Sequence, residues 1–544
     1  MTNKYFGAST RRLEDPKLLM GRAQFVDDVV QRQMLHATFV RSREAHGKIL
    51  NIDTKAAREF EGVFEVYTAE DLGDYNQSAP LVVPPPPIDG LEFNKRTQTP
   101  LAAGKVRYVG EPVAVVIAQN RYIAEDAADL VSVHIEPLSV VSDSENAVSE
   151  NAPLVHEDNP GNRAAVAHQF KGDYAKAAAD AAIIVKRRFT YEHGLAQPME
   201  TRGVVAMWEA GSEKLQVWAS TQAPTSLRTG LASLLNLSES QIRIVAPFVG
   251  GGFGSKVLMY YPEEVLIPWV SIQLGRAVKW IEDRAEHFTA TTQERGQIHD
   301  AELALDKNGV ILGLKDRFLH DNGAYNPYGL TVPINSQCSA LGPYVIPNYD
   351  SIFTAVFTNK PIVSPFRGAG RQHGVFVIER LMDLAAKELG IDVAEIRRRN
   401  FIPKDAFPYR NGVTFQDFTE LSYDSGDYEQ ILDKLLRNID YTKFKQEEQK
   451  RLREEGRYLG IGIVSYVEGT GIGPYEGAKV RVQGNGRVNV ATGIGNQGQG
   501  HYTSFAQIVA DQLGVSPSFV DLTTGDTDQF QWGAGTFASR GAVV

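Results

Sequence analysis

A glycine-rich loop directly after a predicted strand is the feature that most constrains this chain. Residues 250–254 read Gly-Gly-Gly-Phe-Gly, and Ile242 and Ile244 alternate with other residues just before them. Alternation with a period of two predicts a β-strand. A run without Cβ atoms allows positive φ and lets backbone N–H groups approach a ligand closely. Phe253 should point outward from such a loop. By itself the run is also typical of a tight turn at the end of a strand.

Two further glycine-rich loops strengthen the case for a ligand site. Residues 364–371 read Ser-Pro-Phe-Arg-Gly-Ala-Gly-Arg and precede an amphipathic helix that should end at Gly390. Residues 493–500 follow an alternating strand and precede another helix. Backbone N–H donors on several loops predict one large anionic ligand. The side chains of Gln222, Gln499 and Arg367 would add directional hydrogen bonds.

Composition excludes several classes of protein. At 544 residues the chain is too long for one core, which predicts two or three domains. The net charge of −10 argues against a nucleic-acid-binding surface. The single cysteine, Cys338, cannot form a disulfide framework or ligate a zinc ion or iron–sulfur cluster within this chain. No His/Cys/Asp cluster suggests direct metal binding, so a metal would arrive on a cofactor. Without a leader or a bilayer-length apolar run, we expect a cytoplasmic protein.

The order of predicted elements indicates an α+β (mixed α/β) chain. Residues 1–150 form a first unit, with strands at 35–41 and 110–118 and a helix at 121–130. Residues 151–172 are mostly polar and aperiodic and are predicted to be a linker. Regions 173–415 and 416–544 follow, and the second is expected to be incomplete because the chain stops after a glycine loop.

One loop also fits a nicotinamide-binding pattern. Gly493, Gly495 and Gly498 match G-x-G-x-x-G between a strand and a helix, with Asp521 or Asp526 as the acidic residue about twenty positions later. The 250–257 loop matches neither this pattern nor a P-loop, because it reads Gly-Ser-Lys-Val. An NAD-dependent dehydrogenase is therefore an alternative that rests on one loop of three. A non-catalytic scaffold is a third possibility.

Taken together and in order, the motifs resemble a known family. They are Ser220-Thr221-Gln222, the 250–256 loop, Phe366-Arg367-Gly368, Gly498-Gln499-Gly500 and the 536–539 segment. Over essentially its whole length, the chain resembles the molybdopterin-binding large subunits of the xanthine dehydrogenase, aldehyde oxidoreductase and carbon monoxide dehydrogenase family. The resemblance implies an N-terminal α/β hammerhead domain followed by molybdenum-cofactor-binding domains. It also implies a molybdenum–molybdopterin cofactor in the cytosine dinucleotide form. Iron–sulfur clusters and FAD would lie on partner subunits.

The resemblance also implies roles for individual residues. Gln222 and Phe253 would lie at the catalytic centre, and Gln222 would form a hydrogen bond with an oxygen of the molybdenum centre. Val257, Asn335 and Ala369 would line the substrate pocket. The cofactor would contact Gln222, Gly251, Gly252, Phe253, Gly254, Arg367, Gly368, Gly498, Gln499, Gly500, Phe537, Ala538 and Ser539.

Departures from the family pattern narrow the expected chemistry. Purine-oxidising members carry a glutamate where this chain has Val257, and an arginine where Asn335 stands, so xanthine is not the expected substrate. Carbon monoxide dehydrogenases carry a copper-binding cysteine at the position of Ser364, so a copper site is not expected. The resemblance therefore favours hydroxylation of an aldehyde or an N-heteroaromatic ring with oxygen from water.

One family element has no counterpart in this sequence. The family's general base is a glutamate in a C-terminal Gly-x-Gly-Glu segment, and this chain contains no such segment. A positioned base contributes about 10²–10⁴-fold to a rate. We therefore expect the isolated chain to be nearly inactive. Either a partner chain supplies the missing part or the sequence is a fragment, and both remain open.

Overall fold

The computed structural model describes residues 4–257, 260–473 and 475–544, and it confirms a mixed α+β chain. The predicted strand at 35–41 is strand Leu35–Arg41. It pairs antiparallel with the predicted buried strand, Pro112–Ala118, whose seven residues are all buried. The predicted helix after it spans Arg121–Ala128.

A seven-stranded sheet joins the first 150 residues to the following region. Leu35 pairs in parallel with Val278, and the strand that contains Val278 pairs with Gly203–Glu209. The predicted N-terminal unit therefore shares a continuous sheet with later residues, and the predicted domain boundaries stay predictions. In spatial order the strands are Ile242–Val245, Lys214–Ala219, Gly203–Glu209, Val278–Ile281, Leu35–Arg41, Pro112–Ala118 and Val63–Thr68.

A six-stranded sheet corrects the prediction that residues 151–172 are aperiodic. Arg163–Lys171 is a nine-residue strand that pairs antiparallel with Asn348–Val356. Its inward positions are Ala165, Ala167 and Gln169, so the pattern lacks the large apolar side chains that reveal a strand in a sequence. The strand order is Glu92–Phe93, Arg163–Lys171, Asn348–Val356, Ile311–Asp321, Gln297–Leu305 and Ile183–Tyr191.

Three small sheets complete the strands, and one carries the last glycine loops. Val488–Thr492 pairs in parallel with Val520–Thr524, and helix His501–Leu513 connects them. The buried residues of this helix are Thr503, Ala506 and Ala510, and the half-buried Val509 packs against the same small core. The small sheets contain Ala478–Val482, Val488–Thr492 and Val520–Thr524; Lys105–Val106, Gly47–Asp53 and Ser132–Pro137; and Tyr409–Thr414 with Glu420–Tyr423.

The helices pack on these sheets and position the loops between them. Helix Arg371–Leu389 ends at Gly390, as predicted, with a φ of 65°. Asp392 caps the next helix, but Glu395 pairs with Arg398 and Arg399 instead of completing a capping box. The α-helices are Asp15–Leu19, Lys55–Arg58, Ala69–Leu72, Arg121–Ala128, Ser144–Ala147, Tyr174–Asp180, Pro224–Leu235, Pro262–Leu274, Arg284–Ala290, Thr331–Ser339, Arg371–Leu389, Val393–Asn400, Tyr428–Asn438, Tyr441–Lys443, Gln449–Glu454 and His501–Leu513.

The largest apolar core lies between the six-stranded sheet and helix Arg371–Leu389, where Phe353, Tyr344 and Leu381 are fully buried. Each such side chain contributes about 1.5–3 kcal/mol through burial. A second core lies under the seven-stranded sheet. Among the residues described, no helix combines the length and apolarity needed to cross a membrane.

Candidate active site

Gln222 is the point at which separate loops meet. It follows strand Lys214–Ala219 and precedes helix Pro224–Leu235, and only 3% of its surface is exposed. Its Oε1 accepts hydrogen bonds from Gly254 N at 2.8 Å and Lys256 N at 3.3 Å. Its Nε2 donates to Thr536 O at 2.9 Å, and its own carbonyl accepts from Thr536 N at 2.9 Å. One side chain therefore joins the first glycine loop to the 535–540 segment.

The glycines of the first loop are required by close contacts. A Cβ on Gly252 would lie 2.6 Å from Gln222 Oε1, and one on Gly254 would lie 2.1 Å from Pro365 O. Gly254 also has a φ of 109°, which favours glycine. Gly251 packs against the ring of Phe253, and this ring is 43% exposed, as the sequence predicted.

A buried ion pair behind this loop was not predicted. Lys256 Nζ lies 3.0 Å from Glu200 Oε2, and burial lowers the pKa of Lys256. Glu200 Oε2 also accepts from Gly250 N at 2.8 Å and Ser220 Oγ at 2.9 Å. Glu200 therefore fixes both ends of the loop. A buried lysine needs an acidic partner because an unpaired buried charge is unfavourable. The sequence did not indicate which acidic residue pairs with Lys256.

The second loop packs on the first through its backbone. Arg367 N donates to Phe253 O at 2.8 Å. The loop is held from behind by Arg295, which donates to Arg367 O at 2.6 Å and stacks 4.3 Å from the centre of the Phe366 ring. Arg295 pairs with Glu294, whose pKa burial raises to about 8. The side chain of Arg367 is exposed, and Arg295 was missed by the sequence analysis.

Asn335 and Ala369, two predicted substrate-pocket residues, are in direct contact. Asn335 Nδ2 donates to Ala369 O at 2.8 Å and to Gln416 Oε1 at 2.8 Å. Its buried Oδ1 has no hydrogen-bond partner in the described part of the chain. Val257 is buried at the end of the first loop, which touches the second loop where Gly254 meets Pro365.

The remaining predicted cofactor residues lie on the loops of the last region. Gln499 Oε1 accepts from Gln497 N at 2.6 Å, and Gln497 Nε2 shares Thr536 O with Gln222 at 3.2 Å. Gly498 and Gly500 have φ values of 99° and 86°. The carbonyl oxygen of Thr536 therefore joins the 493–500 segment to Gln222, which in turn holds the first loop.

Phe537, Ala538 and Ser539 form a backbone turn next to this junction. Ala538 and Ser539 are consecutive left-handed residues, with φ values of 47° and 51°. Arg540 is buried beneath them, 3.0 Å from Glu476 Oε2 and 4.9 Å from the centre of the Phe537 ring. Neither Arg540 nor Glu476 was predicted, although Arg540 directly follows a predicted motif.

An N-terminal strap, residues 4–25, crosses two of these loops and was also missed. Its first amides, from Lys4 to Phe6, donate to the Asp511 carboxylate. Farther along, the buried Glu14 accepts from Thr503 Oγ1 at 2.6 Å. Arg12 donates to Gly498 O at 3.3 Å, and Phe248 N donates to Gln24 O at 3.0 Å.

These residues fit a cofactor that carries ring and phosphate oxygens. Gln222 Nε2 has two hydrogens, and Thr536 O takes one of them. No other acceptor among the described residues takes the second, so this donor can serve a ligand. Within the described ranges, the backbone N–H groups of Ala538 and Ser539 donate to no other residue. Successive unused backbone amides in a turn can form a concavity that binds an anion. No group of three or more His, Cys, Asp or Glu side chains among these residues is placed to hold a metal ion.

The nicotinamide alternative needs a free acidic residue after the glycine loop, and both candidates already pair with arginines. Its strand–loop–helix–strand context is present at residues 488–524. However, Asp521 pairs with Arg487 and Asp526 pairs with Arg243 in two-point contacts. Both carboxylates are therefore already engaged.

Comparison with known proteins agrees with the geometry. The model of the molybdopterin cofactor-binding domain matches residues 155–401, and a second model of that description matches residues 434–544. The a/b hammerhead domain of aldehyde oxidase and xanthine dehydrogenase matches residues 20–139. The nicotinamide alternative receives no support from these matches.

Individual relatives align over nearly the whole chain. The nicotine 6-hydroxylase large subunit of Paenarthrobacter nicotinovorans is 34% identical over 100% of this chain and 67% of its own length. The carbon monoxide dehydrogenase large chain of Hydrogenophaga pseudoflava is 36% identical, over 98% and 68%. The crystal structure of quinoline 2-oxidoreductase from Pseudomonas putida 86 superposes with a TM-score of 0.92 at 36% identity, over 100% and 69%. The chain thus belongs to the molybdopterin-binding subunits of the molybdenum hydroxylase family, together with xanthine dehydrogenase and carbon monoxide dehydrogenase.

Proposed function

We propose that this chain binds a molybdenum–molybdopterin cofactor of the cytosine dinucleotide form and hydroxylates a carbon atom of an N-heteroaromatic ring or an aldehyde. The observation that carries the proposal is the junction at Gln222. Three predicted cofactor segments meet there, around Gln222 and the carbonyl oxygen of Thr536. When bound, the cofactor supplies oxygen transfer from water and accepts two electrons.

The chain's own residues would orient that cofactor and exclude water. The free Nε2 hydrogen of Gln222 would donate to an oxygen at the metal, and the ring of Phe253 would cover the exposed side of the loop. The amides of Ala538 and Ser539 would bind pterin or phosphate oxygens. Such preorganised donors are usually the largest electrostatic contribution in an active site.

The substrate proposal rests on the pocket residues and the named relatives. Val257 and Asn335 provide no charge for a purine, and Asn335 Oδ1 is an unused acceptor beside Ala369. One relative is named for nicotine and another for quinoline, and both compounds are nitrogen heterocycles. These names favour an N-heteroaromatic substrate. Ser364 donates to Thr292 Oγ1 at 2.7 Å and offers no thiolate for copper.

Electrons would leave through iron–sulfur and FAD partner subunits in the cytoplasm. Cys338 is buried, and burial raises its pKa to about 12, so its sulfur is a protonated core group and not a cluster ligand. Some relatives are named as a subunit or chain of a larger enzyme, which supports a heteromeric assembly.

The test is to purify the protein from its host with everything that copurifies. We expect about one molybdenum and one releasable cytidine nucleotide per chain. With a dye acceptor, quinoline or benzaldehyde should be oxidised, and H₂¹⁸O should label the product. A well-folded assembly without molybdenum, or one that prefers xanthine or carbon monoxide, would contradict the proposal.

A further inference from the structure

A basic cavity lies away from the Gln222 junction, between the hammerhead region and the body of the chain. Its volume is about 380 Å³, and four cationic side chains line it. Lys95 and Arg96 follow strand Glu92–Phe93, while Lys105 and Arg107 lie in or directly after strand Lys105–Val106. His156 and Tyr325 from the body complete the lining. This concentration of positive charge contrasts with the net charge of −10 of the whole chain.

The acidic partners of two of these cations have exposed side chains, and one of them, Asp158, also lines the cavity. Arg96 pairs with Asp158 at 2.8 Å, and the side chain of Asp158 is 77% exposed. Lys105 pairs with Glu157, whose side chain is 59% exposed. Because the acidic side of each pair is solvated, water screens the pair and an incoming anion can compete with it.

The guanidinium of Arg107 donates to neutral groups in the described part of the chain. Its Nε donates to Val155 O at 3.2 Å and its Nη1 to Tyr325 Oη at 3.4 Å. No carboxylate in the described ranges forms a salt bridge with Arg107 or with Lys95. These two cations therefore have no direct ion pair, and the nearest carboxyl to Arg107 is the buried Glu111, which accepts from its backbone N at 2.5 Å.

The cations also repel one another. Burial lowers the pKa of Lys105, and the nearby positive charges of Arg107 and Lys48 lower it further. Burial lowers the pKa of His156 to about 4, so this ring is neutral at pH 7 and leaves the recognition to the four cations. Any anion that enters relieves the repulsion between Lys105 and Arg107.

We propose that this cavity is a second binding site, which takes a small molecule that bears a phosphate group. Guanidinium and ammonium groups are the donors that recognise phosphate oxygens, and Arg107 offers a planar fork. The volume falls within the range of sites for small organic ligands, and Tyr325, Ala102 and Ala103 add apolar surface beside the charges. The ligand is therefore an organic phosphate rather than a bare anion. The proposal does not depend on the proposed function.

The test is calorimetric titration of the protein, with its copurifying subunits, using phenyl phosphate, inorganic phosphate and phenol. We expect one phenyl phosphate per chain, weaker binding of inorganic phosphate and none of phenol. Binding should weaken as salt is raised, because the contacts are ionic. Equal affinities for the two phosphates would overturn the organic part of the proposal, and no binding of either would overturn all of it.

Matched lysine variants locate the site. Lys105→Gln should raise the Kd for phenyl phosphate about tenfold or more, because it removes a charge-assisted hydrogen bond. Lys95→Gln should act in the same direction without touching a buried group. Lys186→Gln removes a more exposed lysine pair, with Glu302 at 3.2 Å outside the cavity, and should change the Kd less than about twofold. Unchanged binding in both Lys105→Gln and Lys95→Gln would contradict the assignment.

Discussion

The two halves of the candidate site are supported in different ways. The glycine-loop half, residues 250–257 and 364–371, lies against the two large sheets. It includes the buried Lys256, and the buried Glu294 lies behind it. The C-terminal half, residues 493–500 and 535–540, rests on the three-stranded sheet. That sheet's apolar cluster contains only five buried residues among those described, and its edge strand Ala478–Val482 is exposed at every position.

The difference implies that the C-terminal half takes its position from the rest of the chain. Gln222 holds Thr536, Arg228 donates to Gln531 O at 2.9 Å, and Arg243 pairs with Asp526 at 2.7 Å. Regions with small cores open locally at lower free energy than the global unfolding transition. The cofactor segments of this half should therefore be the first to loosen when a contact between the halves is lost.

The largest effect should come from removing the side chain of Gln222, at which the two halves meet. Gln222→Ala removes the only acceptor that the side chain offers to Gly254 N and Lys256 N, and also the donor to Thr536 O. We expect turnover of the protein purified from its host to fall about 100- to 1000-fold, the cost of losing one preorganised donor. Molybdenum content should fall less, because Thr536 N still donates to the backbone carbonyl of residue 222 and Arg243 still pairs with Asp526. Steady-state kinetics and metal analysis measure both quantities.

Gln222→Glu is the matched control for this change. The carboxylate still accepts from Gly254 N and Lys256 N, but it repels the carbonyl of Thr536. The first loop should therefore stay protected in hydrogen exchange while the 535–540 segment loses protection. Equal loss of protection in both segments would show that the halves are one cooperative unit.

The next largest effect should come from removing a buried cation from each half. Arg540→Met leaves the Glu476 carboxylate, whose side chain is 2% exposed, without its partner, at a cost of about 3–5 kcal/mol. Lys256→Met leaves Glu200, whose side chain is 18% exposed, so it should cost less. Each carboxylate keeps two other donors, so the difference comes from the exposure. Hydrogen exchange should locate the Arg540→Met effect within residues 476–540. Equal exchange at residues 250–257 in that variant would contradict the comparison.

The sequence could predict the local features of both halves, but not the contacts between distant positions. Glycine runs, strand alternation and helix ends are local signals, so the loops around Gly252, Gly368 and Gly498 and the helix ended by Gly390 were found. Contacts between distant positions were not, because Glu200 lies 50 residues before Gly250, and Glu14 lies 489 residues before Thr503. Strand Arg163–Lys171 was missed because its inward residues are alanine and glutamine.

A pH effect should separate global from local stability. Burial raises the pKa of Glu264, in helix Pro262–Leu274 under the large sheet, to about 8. The folded state thus holds a proton that the unfolded state releases above about pH 4.5. This stability is complete at low pH and is lost as pH rises through about 8, by up to about 1.4 kcal/mol per pH unit.

Glu264→Gln should remove this slope, so the variant becomes more stable than the wild type at pH 8–9 in denaturant unfolding. Glu61→Gln, on an exposed side chain, is the control and should leave the slope unchanged. Local exchange in residues 488–524 should not follow Glu264, because these residues open without unfolding the large sheet. A parallel pH dependence there would argue against independent opening.

The smallest effect should come from the N-terminal strap. Thr503→Val keeps the shape of the side chain but removes the donor to Glu14 and the acceptor for Leu13 N. One hydrogen-bonding group is worth about 1 kcal/mol, and the loss should appear as faster exchange in helix His501–Leu513 rather than as a lower global stability. Thr229→Val removes a similar bond, 2.7 Å to Glu239, from a helix on the large sheet and should leave that helix protected. If both helices lose protection equally, the C-terminal half is no weaker than the rest. If only His501–Leu513 does, a strap 489 residues distant in sequence stabilises the loop that begins this helix.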